Sequence, residues 1–224
     1  MKAKFNAKHV VFSVIAMMTV YVMFHNERFV IQPENPAWQH YAPFKWWLLP
    51  HAIAGTLMYL SAPLQFSERL RKRFPTLHRI GGRLYVLSVF IVGPTGAYIQ
   101  YFEERMGFPR SFTVLAVVDA ALLMGTTLLA FVFAYRRKIA QHRQWMIRSY
   151  AVALVFVEVR FVLGVTGWEQ LGVEMVQAVI WSCLALALLF ADLANHWTEL
   201  STLWRTPMKA AMPSETLARI AEPV

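Results

Sequence analysis

The sequence is poor in charged residues, which make up 16% of its 224 positions, whereas hydrophobic residues make up 57%. A soluble domain typically carries about 25% charged residues. The charges are also kept out of several windows of about 20 residues, a length that crosses a hydrocarbon core of about 30 Å as a helix. This shortage excludes an ordinary soluble domain and predicts an all-α, polytopic membrane helical bundle.

Cysteine is almost absent as well, since Cys183 is the only one. A single cysteine cannot form an intrachain disulfide, so the predicted fold has no covalent link. The sequence also has no CxxCH, HExxH or close His-x-His motif, and no nucleophile, base and acid at a spacing that would suit a hydrolase. Any cofactor must therefore be held by residues that are far apart in the sequence.

The apolar runs predict six transmembrane helices, and together with their connections they form one domain, residues 1–196. The spans are roughly 9–28, 44–64, 81–102, 111–135, 145–166 and 173–195. The first span follows three lysines but is not followed by a small-residue cleavage site, so it is interpreted as an uncleaved anchor. Residues 197–224 are more polar and are predicted to form a C-terminal tail.

The lysines and arginines predict the orientation of these spans. Of the 22 basic residues, seventeen fall in the N-terminal segment, the second and fourth connections with the helix starts that follow them, and the C-terminal tail. Only four fall on the other side, and one, Arg160, lies inside a span. The positive-inside rule then places both termini in the cytoplasm. The net charge of +9 is thus a topology signal and a match for anionic lipid headgroups, and nucleic acid is not expected as a partner.

Three of the seven histidines are candidate cofactor-binding residues. His51 lies inside the second span, whereas His78 and His142 lie at the cytoplasmic mouths of the third and fifth. Ionisable groups at such depths tend to face a bundle interior or a cavity. Small residues share a helical face with two of them, since Gly55 follows His51 and Gly82 follows His78 at i+4.

A b-type haem is the sharpest hypothesis for these histidines. Two neutral imidazoles from facing helices can hold one iron, and His78 and His142 form the natural pair of metal ligands because they lie at matching depth. The basic residues of the same mouth would pair with the haem propionates. Those residues are Arg79, Arg83, Arg143 and Arg148.

Other interpretations of the same residues stay open. The histidines could anchor helix ends at the membrane boundary, and the glycines could allow close helix packing. Another metal, a quinone site or a transport pathway would also use a histidine-lined apolar pocket.

A second polar set lies in the outer half of the predicted bundle. It comprises His51, Asp119, Glu158 and Arg160. We expect Arg160 to pair with Asp119, because the pair would neutralise two charges that are costly in a membrane. Such a pair would fix the helix register, or it would belong to a proton or quinone site in which His51 titrates.

Three segments carry a resemblance to a known family. His51 followed by Gly55, "LHRIGGRLYV" at 77–86 and "HRQWMIRSYA" at 142–151 resemble a family of bacterial predicted membrane proteins that is catalogued as a domain of unknown function. The resemblance covers about residues 45 to 195. It implies a multi-pass protein of the bacterial cytoplasmic (inner) membrane. It marks His51, His78, His142, Arg148 and Arg160 as the positions of interest.

A looser resemblance is to the ascorbate-reducible b-type cytochromes. These six-span proteins hold two haems between four central helices with four ligand histidines, two near each membrane face. Only the inner pair, His78 and His142, matches that pattern, because the fourth span has no histidine. The resemblance therefore implies at most one haem.

These observations predict a small haem-binding or redox-type membrane protein, with a quinone or another membrane redox protein as its partner. The alternatives are a small-molecule or proton-linked transporter and a non-catalytic assembly subunit. A transporter would need a polar path between the outer set and the inner histidines. The second span offers only Thr56, Tyr59 and Ser61 below His51.

Overall fold

The computed structural model describes residues 7–32, 34–197 and 199–201, and it contains helices and no strand among them. Between residues 7 and 195, the described residues form eight α-helices, with short 3-10 turns at Arg28–Ile31, Ala42–Phe44 and Trp168–Leu171. The helices are α1 (Ala7–His25), α2 (Ala37–Tyr41), α3 (Lys45–Gln65), α4 (Glu68–Arg73), α5 (Pro75–Arg105), α6 (Arg110–Tyr135), α7 (Ile139–Thr166) and α8 (Val173–Asn195). The all-α prediction is confirmed for this part of the chain.

Four of these helices, α5 to α8, are long and apolar enough to cross a membrane. They have 31, 26, 28 and 23 residues, which at about 1.5 Å per residue exceeds a hydrocarbon core of about 30 Å. The apolar part of α1 is shorter. Helix α3 has 21 residues but contains two prolines and a histidine. The prediction of membrane-spanning helices is thus confirmed for four segments, whereas the count of six stays a prediction.

The helices pack largely in chain order, α3 on α5, α5 on α6, α6 on α7 and α7 on α8, and α1 packs on α7. Since short connections join the four long helices, successive helices run antiparallel. The connections at 66–74 and 136–138 therefore lie together at one end of the bundle, which we name the basic end after its arginines and lysines. The connections at 106–109 and 167–172 lie at the opposite end.

The chain starts and stops these helices with ordinary signals. Ser67 caps α4 by accepting a hydrogen bond from the Leu70 amide at 3.3 Å. Pro75 is the first residue of α5, where its missing N–H costs no helical hydrogen bond. Gly167 ends α7 at a φ of +68°, a left-handed conformation that glycine adopts without a steric cost.

Helix α7 is the centre of the bundle, because it contacts α1, α6 and α8 and is the most buried of the four long helices. Helix α1 packs against its outer half at Gly164, where an added Cβ would lie 3.0 Å from the Tyr21 ring. The Tyr21 ring stacks on His25 and meets the edge of Phe161. The small residue thus lets the two helices approach closely.

Large apolar side chains cover much of the outer surface of the bundle. Leu128, Phe131, Leu189 and Phe190 are all exposed, although they belong to the most apolar helices. Such a surface would be an aggregation hazard in water, whereas it suits contact with lipid chains. The exposed apolar belt therefore agrees with a bilayer environment.

The predicted boundary between the domain and its tail falls near the end of the described residues. Residues 197 and 199–201 are helical. The rest of the predicted tail, and Lys2 and Lys4 at the start of the chain, lie outside the described residues. The division at residue 196 and the cytoplasmic position of both termini therefore stay predictions.

Candidate functional site

A chain of three hydroxyl groups joins α5, α6 and α7 within the core at the basic end. The Ser149 Oγ lies 2.8 Å from the Tyr85 hydroxyl and 2.6 Å from the Thr127 Oγ1, and Thr127 donates to the Leu123 carbonyl at 2.7 Å. Because each hydroxyl carries one hydrogen, the order of donation is Tyr85 to Ser149 to Thr127 to the carbonyl. The three side chains are buried. Each of the three hydroxyl groups has an acceptor for its hydrogen, so none of these buried donors is left unpaired.

His142 lies two helical turns before Ser149 and has a fixed orientation. Its Nδ1 is 2.9 Å from the carbonyl oxygen of Ala130 on α6. A carbonyl only accepts, so Nδ1 carries the hydrogen, and in the neutral ring the lone pair is on Nε2. Metal-ligating histidines commonly use this arrangement, in which one ring nitrogen donates to the protein and the other faces the metal.

His78 of α5 lies within electrostatic range of His142 and of Arg71, so a positive charge on either one would disfavour protonation of His78. The Nδ1 of His78 is buried and has no hydrogen-bond partner among the described residues. The structure therefore places two of the predicted site residues within electrostatic range of each other, from helices that are not neighbours in the chain.

Two further buried polar atoms at this end have no hydrogen-bond partner among the described residues. They are the Oε1 of Gln65, at the end of α3, and the hydroxyl of Tyr150 on α7. The Gln65 carboxamide lies against Gly81, where an added Cβ would overlap its Nε2, and also faces Gly82. The glycines below His78 therefore make room for this carboxamide.

The predicted cationic partners of a cofactor differ in their surroundings. Arg79, Arg83 and Arg143 are exposed at the basic end. Arg148 instead forms an ion pair with Asp192 of α8, with 2.7 Å between Nε and Oδ1, and lies over the Trp145 ring. Arg148 is thus engaged on the α8 side of α7.

His51 lies in the other half of the molecule, on α3. Its Nδ1 is 3.1 Å from the Oγ1 of Thr95, whose hydrogen goes to the Ile91 carbonyl at 2.6 Å, so the imidazole donates. The ring packs against Gly96, where an added Cβ would lie 3.0 Å from its Cε1. His51 is therefore a hydrogen-bonded packing residue in this structure.

The expected pair between Arg160 and Asp119 is wrong. The Nη1 of Arg160 lies 3.1 Å from the Oε1 of Glu27, just after α1, which is an ion pair without hydrogen-bond geometry. The buried Oδ1 of Asp119 has no hydrogen-bond partner among the described residues. Arg160 is eighteen residues beyond His142 in α7, or about 27 Å along the helix. It therefore cannot belong to the same site as the two histidines. Glu158 lies on another side of α7, where it interacts with Cys183 of α8.

The segment around α2 closes the opposite end through charged partners. The Nε2 of His40 lies 3.1 Å from the Oε1 of Glu103, which also accepts at Oε2 from Gln100 at 2.8 Å. The neighbouring Tyr41 interacts with Arg160, Glu27 and Glu103. Burial raises the pKa of the Tyr41 phenol, and the two carboxylates add to the rise while Arg160 opposes it. This end is therefore held by charge pairs between separate chain segments.

Sequence reasoning missed Gln65, Thr127, Tyr150 and Glu27 as members of these two clusters. A threonine within an apolar helix commonly bonds to its own backbone, and nothing in its spacing distinguished Thr127 from Thr126. Glu27 and Gln65 lie at helix ends, where their partners depend on how the connections turn. Tyr85 follows His78 at i+7 and so lies on the same helical face, which is the one sequence signal that could have pointed toward the hydroxyl chain.

Comparison with known proteins gives one result. The family model described as "Predicted membrane protein (DUF2306)" matches residues 48–195. Neither the curated proteins nor the solved structures contain a match to this chain.

Proposed function

The chain belongs to this DUF2306 family of predicted membrane proteins, a domain of unknown function, and from that premise we propose that it binds one b-type haem between His78 and His142. In this proposal it is a six-span protein of the bacterial inner membrane, with its basic end in the cytoplasm. Its activity belongs to the redox class. The iron would supply the electron chemistry, and the protein would supply ligation and position.

The neighbouring imidazoles of α5 and α7 carry the proposal. The Ala130 carbonyl, 2.9 Å from Nδ1, fixes the ring of His142 with its Nε2 as the lone-pair nitrogen. His78 lies close enough to His142 to interact with it electrostatically. His78 and His142, from two non-consecutive helices, would be the residues that hold one haem, and the iron would supply the electron chemistry.

The number of available ligands favours haem over a bare metal ion. Among the described residues, no group of three or more His, Cys, Asp or Glu side chains is placed to hold a metal. A structural zinc ion takes four protein ligands and a catalytic one three. A haem brings four nitrogens of its own and asks the protein for only one or two ligands, which is the number that this end provides.

One side chain covers the face of α5 that follows His78. The Gln65 carboxamide covers the Gly81 and Gly82 face of α5, and Gln65 is the last residue of α3. The exposed Arg79, Arg83 and Arg143 are available to carboxylates at the mouth.

A transport pathway fits the same residues less well. The hydroxyl chain of Tyr85, Ser149 and Thr127 ends on the Leu123 carbonyl. A carbonyl oxygen has no hydrogen to pass on, so this chain joins three helices and does not conduct protons.

The decisive experiment is a dithionite-reduced minus air-oxidised optical spectrum of the detergent-purified protein, expressed with added haem. We expect a sharp alpha band and about one haem per chain by pyridine haemochrome. His78→Ala and His142→Ala should each abolish the band while the protein still elutes as a single species. His196→Ala is the matched control, because His196 lies near the basic end but bonds to the Asp192 carbonyl of its own helix.

A flat spectrum from the wild-type protein would refute haem binding. So would a band that survives in both histidine variants. In either case the histidines would be boundary residues.

The proposed orientation has a separate test. Cys183→Ala removes the only thiol, and single cysteines are then placed at Glu34, Lys72 and Met106, all of them exposed. A membrane-impermeant maleimide on intact cells should label positions 34 and 106 and spare position 72, because α3 and α5 would each cross the bilayer. Labelling at 72 with protection at 106 would reverse the orientation, and labelling at both 34 and 72 would remove α3 from the spans.

A further inference from the structure

Three buried polar atoms at the basic end share one property, the lack of a hydrogen-bond partner among the described residues. They are the Gln65 Oε1, the His78 Nδ1 and the Tyr150 hydroxyl. Buried polar groups are hydrogen-bonded in the great majority of cases, and an unpaired one costs free energy. Three such atoms on three different helices therefore suggest that a bound ligand supplies their hydrogen bonds.

The three atoms surround the same two turns of α5. Gln65 lies against Gly81, one turn beyond His78. Its neighbour Phe66 has its ring centroid 5.6 Å from that of Tyr150. Tyr150 in turn interacts with Tyr85, two turns beyond His78. The polar atoms thus follow one face of α5 from the histidine level to the level of the hydroxyl chain.

The chemistry of the three atoms is complementary to a ligand with oxygen at both ends. The Gln65 Oε1 only accepts, the Tyr150 hydroxyl donates or accepts, and the His78 Nδ1 does either according to its tautomer. A water molecule with two hydrogen bonds of about 2.8 Å joins atoms that are 5 to 6 Å apart. His78 and Tyr85, which marks the level of Tyr150, are about 10 Å apart along α5. A rigid ring with oxygens on opposite sides can span this distance, whereas a single water molecule cannot.

The walls of this region are apolar and aromatic. The Phe66 ring lies 6.1 Å from Phe12 of α1, and the Tyr59 ring lies 6.5 Å from Tyr150. Leu60 and Leu64 on the same part of α3 are exposed on the lipid-facing surface. A ligand that partitions into the bilayer could reach this face without crossing water.

We propose that Gln65, His78 and Tyr150 bind the headgroup of a membrane quinone or quinol, with one ring oxygen at His78 and the other at Tyr150. The Gln65 carboxamide accepts from the quinol hydroxyl or donates to the quinone carbonyl. This inference rests on the proposed function in one respect: His78 then holds haem through Nε2 and the headgroup through Nδ1. The quinone is thereby the redox partner of the haem site.

Asp119 is a weaker candidate for a ligand site. Its Oδ1 is also buried without a hydrogen-bond partner, as are the Asn26 Oδ1 and the Glu27 Oε1. Asp119 supplies a single atom on α6, and the other two atoms belong to adjacent residues just after α1, where Glu27 already forms an ion pair with Arg160. At the basic end, three helices supply such atoms to one place.

The test is photolabelling of the purified protein by an azido-ubiquinone, competed by unlabelled short-chain ubiquinone. We expect labelling on α3 and α5, and an approximately tenfold weaker competition in Tyr150→Phe and in Gln65→Leu, as for the loss of one hydrogen bond. Tyr101→Phe is the control, because Tyr101 is exposed near the far end of α5. The haem spectrum should be unchanged in all three variants, since none of them removes a ligand.

The outcomes separate this inference from the haem proposal. A normal haem spectrum with no competable labelling, or with equal competition in Tyr150→Phe, Gln65→Leu and Tyr101→Phe, overturns the quinone site and leaves haem binding intact. Competable labelling that depends on Tyr150 and Gln65 in a protein with a flat spectrum supports the quinone site and refutes the haem. If water were the only ligand of the three atoms, unlabelled ubiquinone would not reduce the labelling.

Discussion

The two ends of the bundle differ in the charge and in the partners of their buried polar side chains. At the opposite end, Glu27 meets Arg160 at 3.1 Å and Glu103 meets His40 at 3.1 Å. At the basic end, the buried groups are an imidazole, a carboxamide and a phenol, each with an atom that no described residue satisfies. Charge pairs can hold loose segments in place, whereas neutral groups without partners are suited to a ligand. The Asn26 Oδ1 and the Glu27 Oε1 at the opposite end also have no hydrogen-bond partner among the described residues. The two ends therefore differ in the charge of their buried groups: the opposite end has carboxylates beside cations, and the basic end has neutral groups from three helices.

The largest effect should come from breaking the charge pair at the opposite end. Arg160→Met leaves the Glu27 carboxylate, with 18% of its side chain exposed, without a cation, and should lower the free energy of unfolding by about 3 kcal/mol. Unfolding of the detergent-solubilised protein with sodium dodecyl sulfate measures it. Glu27→Gln in the same chain should restore most of the loss.

The control for that experiment is Arg110→Met. Arg110 pairs with Glu104 at 4.0 Å and is 85% exposed, so its loss should change stability by less than about 0.5 kcal/mol. Equal losses for Arg110→Met and Arg160→Met would contradict a structural role specific to the Glu27 pair.

The next effect should come from the middle of the hydroxyl chain. Ser149→Ala removes the partner of both Tyr85 and Thr127 and should lower the free energy of unfolding by about 1.5 kcal/mol. Ser61→Ala is the matched control, because that hydroxyl bonds only to the Met58 carbonyl of its own helix. If Ser61→Ala cost as much, the chain between the helices would not be what stabilises them.

A pair of tyrosine variants compares a bonded hydroxyl with an unbonded one within the basic end. Tyr85→Phe breaks a 2.8 Å hydrogen bond and should cost about 1 kcal/mol. Tyr150→Phe removes a buried hydroxyl without a partner, so the ligand-free protein should be unchanged or more stable by up to about 1 kcal/mol. A thermal-shift measurement on delipidated protein distinguishes the two. A loss in Tyr150→Phe as large as in Tyr85→Phe would mean that the Tyr150 hydroxyl has a partner in the free protein.

The smallest effect should come from the two adjacent glycines of α5. Gly82→Ala has room, with the Gln65 Oε1 3.8 Å from an added Cβ, and should stabilise the helix by about 0.5 kcal/mol. Gly81→Ala meets the Gln65 carboxamide, so this gain should vanish, and Gln65→Ala in the same chain should recover it. Gly81→Ala and Gly82→Ala with identical unfolding midpoints would show that the carboxamide does not rest on Gly81.

The sequence was sufficient to predict the four long helices, because their apolar runs are long and nearly free of charge. It also predicted that His78 and His142 lie at one end, since short connections force antiparallel neighbours. The partners of Arg160 and Arg148 could not be predicted. Glu27 follows α1, whose packing on α7 is a tertiary contact over more than 100 residues that periodicity does not encode. The pairing of Arg148 with Asp192 could not be predicted, because the level of Asp192 relative to Arg148 depends on the turn at Gly167.

The packing of α1 on α7, rather than on its chain neighbours, has a consequence for biosynthesis. Helices α5, α6 and α7 each meet a partner as soon as the following helix leaves the ribosome, and α8 meets α7, which is already made. Helix α1 must wait for α7, and at 5 to 20 residues per second that delay is on the order of ten seconds. During this time Arg160 is not available to pair with Glu27, and the face of α1 that will pack on Gly164 is exposed. Until α7 has been made, the packing face of α1 is therefore exposed to whatever surrounds the growing chain.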